Sequence, residues 1–209
     1  MFTQIVRDAT ASISSDHLMI FIVFYIISLD QFLPISNFTA RKLCHSGCGF
    51  CIMLLDPKAT KDKLFVWLVA SSSIMMSWNV LPFLPSFRFS RSRDVGITAF
   101  LSLVSLWFWL ELDPTILSPM FFADPAGAVF GKYFTKIGFN AKWYGDKTVA
   151  GTAAVFIFCF LSLLYEVSVF NRLFISAAAA LVEAVGGDYD NIGIAGVVLI
   201  GWLLTAKKN

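Results

Sequence analysis

Long apolar runs, separated by short charged or proline-containing breaks, recur along this chain. A helix crossing about 30 Å of hydrocarbon needs roughly 20 residues. The runs are His17–Ile35, Leu43–Leu55, Leu64–Leu84, Val95–Leu112, Thr115–Phe134, Thr148–Val169, Leu173–Val185 and Ile192–Ala206. Pro34 with Ser36–Asn37 ends the first, and Asp56-Pro57-Lys58 ends the short, Gly-rich second. Pro82 and Pro85 close the third, and Glu111, Asp113 and Pro114 close the fourth. The pattern predicts an all-α, polytopic membrane bundle of seven to eight transmembrane helices, the second run being the one that need not span. The expected organisation is an N-terminal polar segment, 1–16, followed by a single transmembrane domain, 17–209. The first segment carries Arg7, Asp8 and Asp16 and is read as neither a signal peptide nor a transit peptide.

Composition agrees with this pattern. The 209 residues are 57% hydrophobic and 14% charged, whereas a soluble domain carries about a quarter charged residues to solvate its surface. Mean hydropathy is +0.74, so in water the chain would expose large apolar patches. The net charge of +2 is too small to argue for nucleic acid as a partner.

Threading the runs alternately through a bilayer sorts the polar segments. One face receives Arg41–Lys42, Arg88–Asp94, Lys132–Lys147 and Asp188–Asn191, with nine of the sixteen Lys and Arg residues. The other face receives the N-terminus, Asp56–Lys63, Glu111–Pro114, Arg172 and the C-terminal lysines, with seven. The positive-inside bias makes the first face cytosolic. The sequon Asn37-Phe38-Thr39 falls on that face and is expected to carry no glycan.

Ionisable groups inside membrane helices are costly and call for a reason. Asp124 stands mid-run and is followed by Pro125, Gly127 and Gly131, which argues for a broken or closely packed helix. Two readings are open: Asp124 caps a new helix beginning at Pro125, or it serves a cation or a reacting group. Lys132, Lys136, Lys142 and Lys147 sit in a Gly-containing loop before Gly145-Asp-Lys-Thr-Val-Ala-Gly151. A lysine at a helix N-terminus suits an anion shared with the free amides of Thr148 and Val149, although ordinary juxtamembrane charge is the alternative. The spacing is not that of a Walker A loop. Cys44, Cys48 and Cys51 share a helical face beside His45. A structural zinc site wants four convergent ligands, so they read as small core residues with reduced thiols. Glu183, and Asp190-Asn191 after a Gly186-Gly187 turn, are either capping groups or metal ligands.

Taken in order, these motifs resemble the CTP-dependent lipid-alcohol kinases: dolichol kinase, phytol and farnesol kinases, and CTP-dependent diacylglycerol kinases. That family is distantly similar to the phosphatidate cytidylyltransferases. Arg41-Lys42-Leu43-x-His45-x-x-x-Gly49 matches its opening pattern, and Arg91-Ser-Arg-Asp-Val-Gly96 its middle basic segment. Asp124, Gly127, Gly131 and Lys132 match its Asp-x-x-Gly-x-x-x-Gly-Lys element. Lys147, Thr148, Gly151 and Thr152 match the next, and Glu183, Asp190 and Asn191 the last. The resemblance covers about residues 40–195. Thr135 stands where a glycine is usual, and Ile192-Gly-Ile-Ala195 lacks the usual proline.

The resemblance implies transfer of the γ-phosphoryl of CTP to a membrane lipid alcohol, with Mg²⁺ as cofactor. Asp124 and Lys147 would be catalytic. Arg41, Lys42, Gly131, Lys132, Thr148, Gly151 and Asn191 would bind nucleotide, and Asp124, Glu183 and Asp190 would hold the metal. It also implies an endoplasmic-reticulum enzyme with its site facing the cytosol, or a plastid-envelope enzyme if phytol is the substrate. A cytidylyltransferase making a CDP-lipid is the alternative; a non-enzymatic transporter would need polar clusters on both faces.

Overall fold

The computed structural model describes residues 14–80 and 83–205. Most of the N-terminal segment (1–13), Pro82 and the lysines Lys207 and Lys208 lie outside the described residues. The described residues are all-α apart from one two-stranded hairpin, and the chain divides into two compact units, Met1–Pro114 and Thr115–Asn209.

In the first unit, α1 (Ser15–Ile27) continues into a π-helical turn, Ser28–Phe32, followed by α2 (Asn37–Ile52), α3 (Thr60–Ser77) and α4 (Val95–Trp109). Side-chain caps set three of the starts. Ser14, Ser36 and Asp94 accept from the amides of His17, Thr39 and Ile97. Such caps satisfy donors that the first helical turn leaves without partners. The Ser36 cap explains why α2 begins at Asn37, six residues before the apolar run. Helices α3 and α4 run antiparallel: Trp67 Nε1 donates to Ser105 O near one end and Trp78 Nε1 to Thr98 Oγ1 near the other. Arg88 clasps the turn between α1 and α2. Its guanidinium donates to the carbonyls of Leu29, Leu33 and Ile35 and to Asn37 Oδ1, while its amide donates to buried Asp30. These carbonyls follow the last turn of a helix, where acceptors lack helical partners.

The second unit comprises α5 (Ser118–Lys136), the hairpin β1 (Lys142–Tyr144) and β2 (Lys147–Thr148), α6 (Val149–Ser162), α7 (Val169–Gly186) and α8 (Asp190–Thr205). Helix α5 packs on α6, α6 on α7, α7 on α8, and α8 back on α5, closing a four-helix ring. Close contacts fix an up-down-up-down order. A Cβ at Gly127 would meet Val155, and one at Gly131 would meet Gly151; one at Gly193 would meet Val182, and one at Gly201 would meet Ile175. In each pair one number rises as the other falls, which is the mark of antiparallel neighbours.

This unit buries polar groups within an apolar core and also leaves large apolar side chains exposed. Asp124, Glu183, Asn191, Ser118 and Ser176 are buried, while Ile157, Leu161, Phe170, Phe174, Leu181, Ile200 and Leu204 are exposed. By length and composition, two helical stretches could cross a membrane, Ser15–Phe32 and Val169–Thr205; Val95–Trp109 and Val149–Ser162 are apolar but shorter. The expected seven to eight crossings therefore exceed what helix length alone establishes. The second stretch is itself a hairpin, because the chain reverses at Gly187, whose φ of +57° suits glycine.

Candidate metal and anion site

The up-down order brings the C-terminus of α5, both ends of the 137–148 connection, and the α7–α8 turn to one end of the four-helix ring. Asp124 lies inside α5 and Glu183 in the last turn of α7, while Asp190 opens α8. One carboxylate oxygen from each lies within 4.8 Å of the others. Asp124 and Glu183 are only 4% and 6% exposed. Pro125 cannot donate a helical hydrogen bond, yet α5 runs through it unbroken, so Asp124 does not cap a new helix as one reading allowed.

Lys147 enters the cluster from β2. Its ammonium donates to Glu183 and lies 3.9 Å from Asp190. With three carboxylates and one ammonium, the formal charge is −2, so one divalent cation would neutralise it. Asn191, directly after Asp190, is buried, and its Oδ1 has no hydrogen-bond partner. A buried acceptor without a donor is costly, and a bound cation would satisfy it. The spacing fits as well. Oxygens opposite one another around Mg²⁺ lie about 4.2 Å apart, and around Ca²⁺ about 5 Å. A 4.8 Å cluster accepts a divalent ion with small adjustments.

The connection that delivers Lys147 is built to hold its shape. Gly145, with φ +51°, and Asp146 turn the hairpin, whose partners are Tyr144 with Lys147 and Lys142 with Thr148. Positive φ at the first turn residue belongs to the tight turns that match strand twist. Asn140 ties the two helix ends together. Its Nδ2 donates to Gly131 O and Thr135 Oγ1, and its Oδ1 accepts from the Ala150 amide. Trp143 Nε1 donates to Thr152 Oγ1.

Several expected anion ligands are already engaged. The Val149 amide donates to Ala141 O, Ala150 to Asn140, and Gly151 to Thr148 Oγ1. The start of α6, expected to offer Val149 to phosphate, is satisfied from within, because the 140–141 segment folds over it. Thr148 is the N-cap of α6. Gly131 and Gly151 are where the two helices touch: a Cβ on Gly131 would stand 2.9 Å from Thr148 Oγ1, and one on Gly151 3.0 Å from Gly127 O. Gly127 and Gly131 form a small-x-x-x-small spacing, which permits close helix approach. Lys132 is exposed.

Arg41 and Lys42 belong to the first unit, on α2. Both Nη atoms of Arg41 donate to Asp94, at 2.5 and 2.9 Å. Asp94 also accepts from the amides of Arg91 and Ile97. Burial pushes the Asp94 carboxyl up, but these donors outweigh it and hold it below its ordinary value. The four cysteines are free thiols, and among the described residues Cys44, Cys48 and Cys51 form no three-ligand cluster with His45.

Sequence reasoning passed over Asn140, which fastens the hairpin, and Asp94 as the partner of Arg41. The first carried a signal, since Asn is favoured where a side chain must bond nearby backbone. The second lies 53 residues from its partner and carried none. Comparison with known proteins adds no name to this geometry: no family model matches the chain, and no curated protein or solved structure matches it.

Proposed function

We propose that this chain is a membrane-embedded, divalent-cation-dependent phosphotransferase that moves the γ-phosphoryl of a nucleoside triphosphate onto a lipid hydroxyl. The observation that carries the reading is the convergence of Asp124, Glu183 and Asp190 with Lys147, inside a bundle whose exterior is apolar. Buried carboxylates need a cation, and an apolar exterior needs lipid. The exposed apolar side chains, with the two stretches long enough to span, support a polytopic membrane arrangement. CTP as donor rests on the resemblance to lipid-alcohol kinases, as does the cytosolic orientation.

Phosphoryl transfer asks for positioning and charge neutralisation more than for covalent help from the protein. Glu183, Asp190 and Asn191 Oδ1 would hold the metal together with Asp124. When bound, Mg²⁺ supplies neutralisation of the phosphate charge. Asp124, deep in α5, orients the lipid hydroxyl and takes its proton as that oxygen attacks the γ-phosphorus. The bond to the β-phosphate oxygen breaks, and the nucleoside diphosphate leaves. Lys147 turns from Glu183 to hold the phosphate oxygens of the nucleotide. Because the amides at the start of α6 are taken, the contacts to phosphate come from side chains, Lys147 foremost.

The test offers purified protein γ-labelled CTP or ATP with diacylglycerol, phytol, farnesol or a dolichol. Label in a lipid, lost in Asp124→Ala while the variant stays folded, supports the proposal. Wild-type rate in Asp124→Ala overturns the assignment. Transfer from α-labelled CTP onto a lipid, only when phosphatidate is supplied, replaces it with cytidylyltransfer.

A further inference from the structure

At the site end of the second unit, large apolar side chains point into open surroundings. Phe139 is 80% exposed, Tyr133 58% and Tyr144 52%, with Ile137 and Trp143 exposed beside them. Lys132, Lys136 and Lys142 are interleaved with them and are exposed as well. The one acid of the hairpin, Asp146, pairs with Lys142 at 2.7 Å on a fully accessible surface. This display is held rigidly. Asn140, the Val149–Ala141 bond and the Trp143–Thr152 bond fasten the segment to α5 and α6. Aromatic residues mixed with lysines are the composition of a membrane interface, where rings lie at headgroup depth and ammonium groups reach lipid phosphates.

We propose that the end of α5 and the hairpin, residues 133–144, dock into the headgroup zone of an anionic leaflet. Phe139, Trp143 and Tyr144 lie at the acyl boundary, and Lys136 and Lys142 bind lipid phosphates. Each lysine near an anionic surface strengthens attachment roughly fivefold. β2 of the same hairpin carries Lys147, which reaches Glu183, so docking ties the carboxylate cluster to the membrane surface. This inference rests on the membrane-embedded part of the proposed function and not on its phosphoryl chemistry.

The test attaches an environment-sensitive fluorophore at Tyr144→Cys and, separately, at Ile157→Cys on the outer side of α6. The parent protein, whose Cys48, Cys51 and Cys159 are buried and whose Cys44 is partly so, gives the background labelling. Each labelled protein is reconstituted in phosphatidylcholine vesicles with or without phosphatidylglycerol, and quenched by aqueous iodide, headgroup nitroxide lipid or deep-acyl nitroxide lipid. With phosphatidylglycerol, the 144 probe should be quenched by the headgroup nitroxide and should lose iodide access at least severalfold. Lys136→Glu with Lys142→Glu should restore that access. A 144 probe open to iodide in anionic vesicles, while the 157 probe responds to lipid nitroxide, overturns docking. So does quenching at 144 that ignores lipid charge or the double charge reversal. Iodide access without lipid quenching at both positions overturns the membrane reading, and docking with it.

Discussion

Replacing Lys147 by methionine removes the ammonium that pairs with Glu183 and Asp190 while keeping most of the stem's volume. Two opposite charges 4 Å apart in a partly buried protein setting interact by about 4 kcal/mol, and removing one partner of a buried pair costs about 3–5 kcal/mol. Lys147 keeps 29% of its side chain exposed and Glu183 only 7%, so the lower figure applies. In the presence of chelator, Lys147→Met should then lose about 3 kcal/mol, or roughly 6–12 °C in Tm for a chain of this size. A divalent cation at a hundred times its Kd returns about 2.7 kcal/mol. Mg²⁺ or Mn²⁺ should therefore restore most of the variant's Tm. Wild-type protein should gain less, because the incoming ion must displace an ammonium already seated on Glu183. The assay is thermal unfolding in detergent, with chelator and across a cation titration. An equal Tm deficit with chelator and with saturating cation would show that Asp124, Glu183 and Asp190 do not act together as a cation site, and the reasoning would fail.

Four further outcomes follow from the packing and hydrogen bonding. Gly131→Val should destabilise the second unit by about 1–3 kcal/mol through overpacking against Thr148 and Gly151, read as a lowered Tm with the helical circular-dichroism signal retained. Asn140→Ala removes three hydrogen bonds and should cost about 3 kcal/mol, with faster amide exchange across the hairpin as its local readout. The Asp94 carboxyl is held below its ordinary value, so its contribution is present above the unfolded-state pKa of about 3.9 and is lost as pH falls through the lower folded value. Wild type should thus lose stability relative to Asp94→Asn as acid titration passes below about pH 4, and parallel curves would refute the assignment. Asn37 is held by Arg88, and expression in a glycosylating host should give a protein whose gel mobility is unchanged by glycosidase.

The chemistry-bearing acids were legible because an acid in an apolar run is expensive wherever it stands. Asp124 and Glu183 stood out as acids in apolar runs and Asp190 by its place after the Gly186-Gly187 turn, and the up-down order of the four helices brings them together. Helix starts were half legible: Ser36 and Ser168 cap α2 and α7 as short polar residues do. Pro125 with Gly127 and Gly131 argued for a broken or a closely packed helix, and the second alternative holds: α5 runs through the proline while the two glycines seat it directly on α6. The least legible contacts joined distant residues. Nothing local to Arg41 announces Asp94, and nothing local to Val149 announces that the 140–141 segment will use its amide. A helix N-terminus read in isolation looks like an anion site; folded, it can be satisfied by its own loop.

The two ends of the second unit differ in a way that bears on transport against catalysis. A substrate path needs polar groups that can meet a solute at both ends of the bundle. At the end opposite the carboxylates, several polar side chains bond backbone carbonyls. Ser118 donates to Thr115 O and Ser162 O, Arg172 Nη1 to Phe160 O, and Ser176 to Arg172 O. Tyr165 donates to Val198 O, beside the point where Gly201 admits Ile175. These bonds satisfy the side-chain donors within the bundle, and that to Ser162 O also serves a carbonyl at a helix end. The carboxylate end holds three clustered acids, an Asn191 Oδ1 with no hydrogen-bond partner among the described residues, and Lys147 delivered by a fastened hairpin. Among the described residues, the one cluster of three acids lies at a single end of this bundle. The proposed reaction at a membrane surface needs that asymmetry, whereas a path through the bundle would need such groups at both ends.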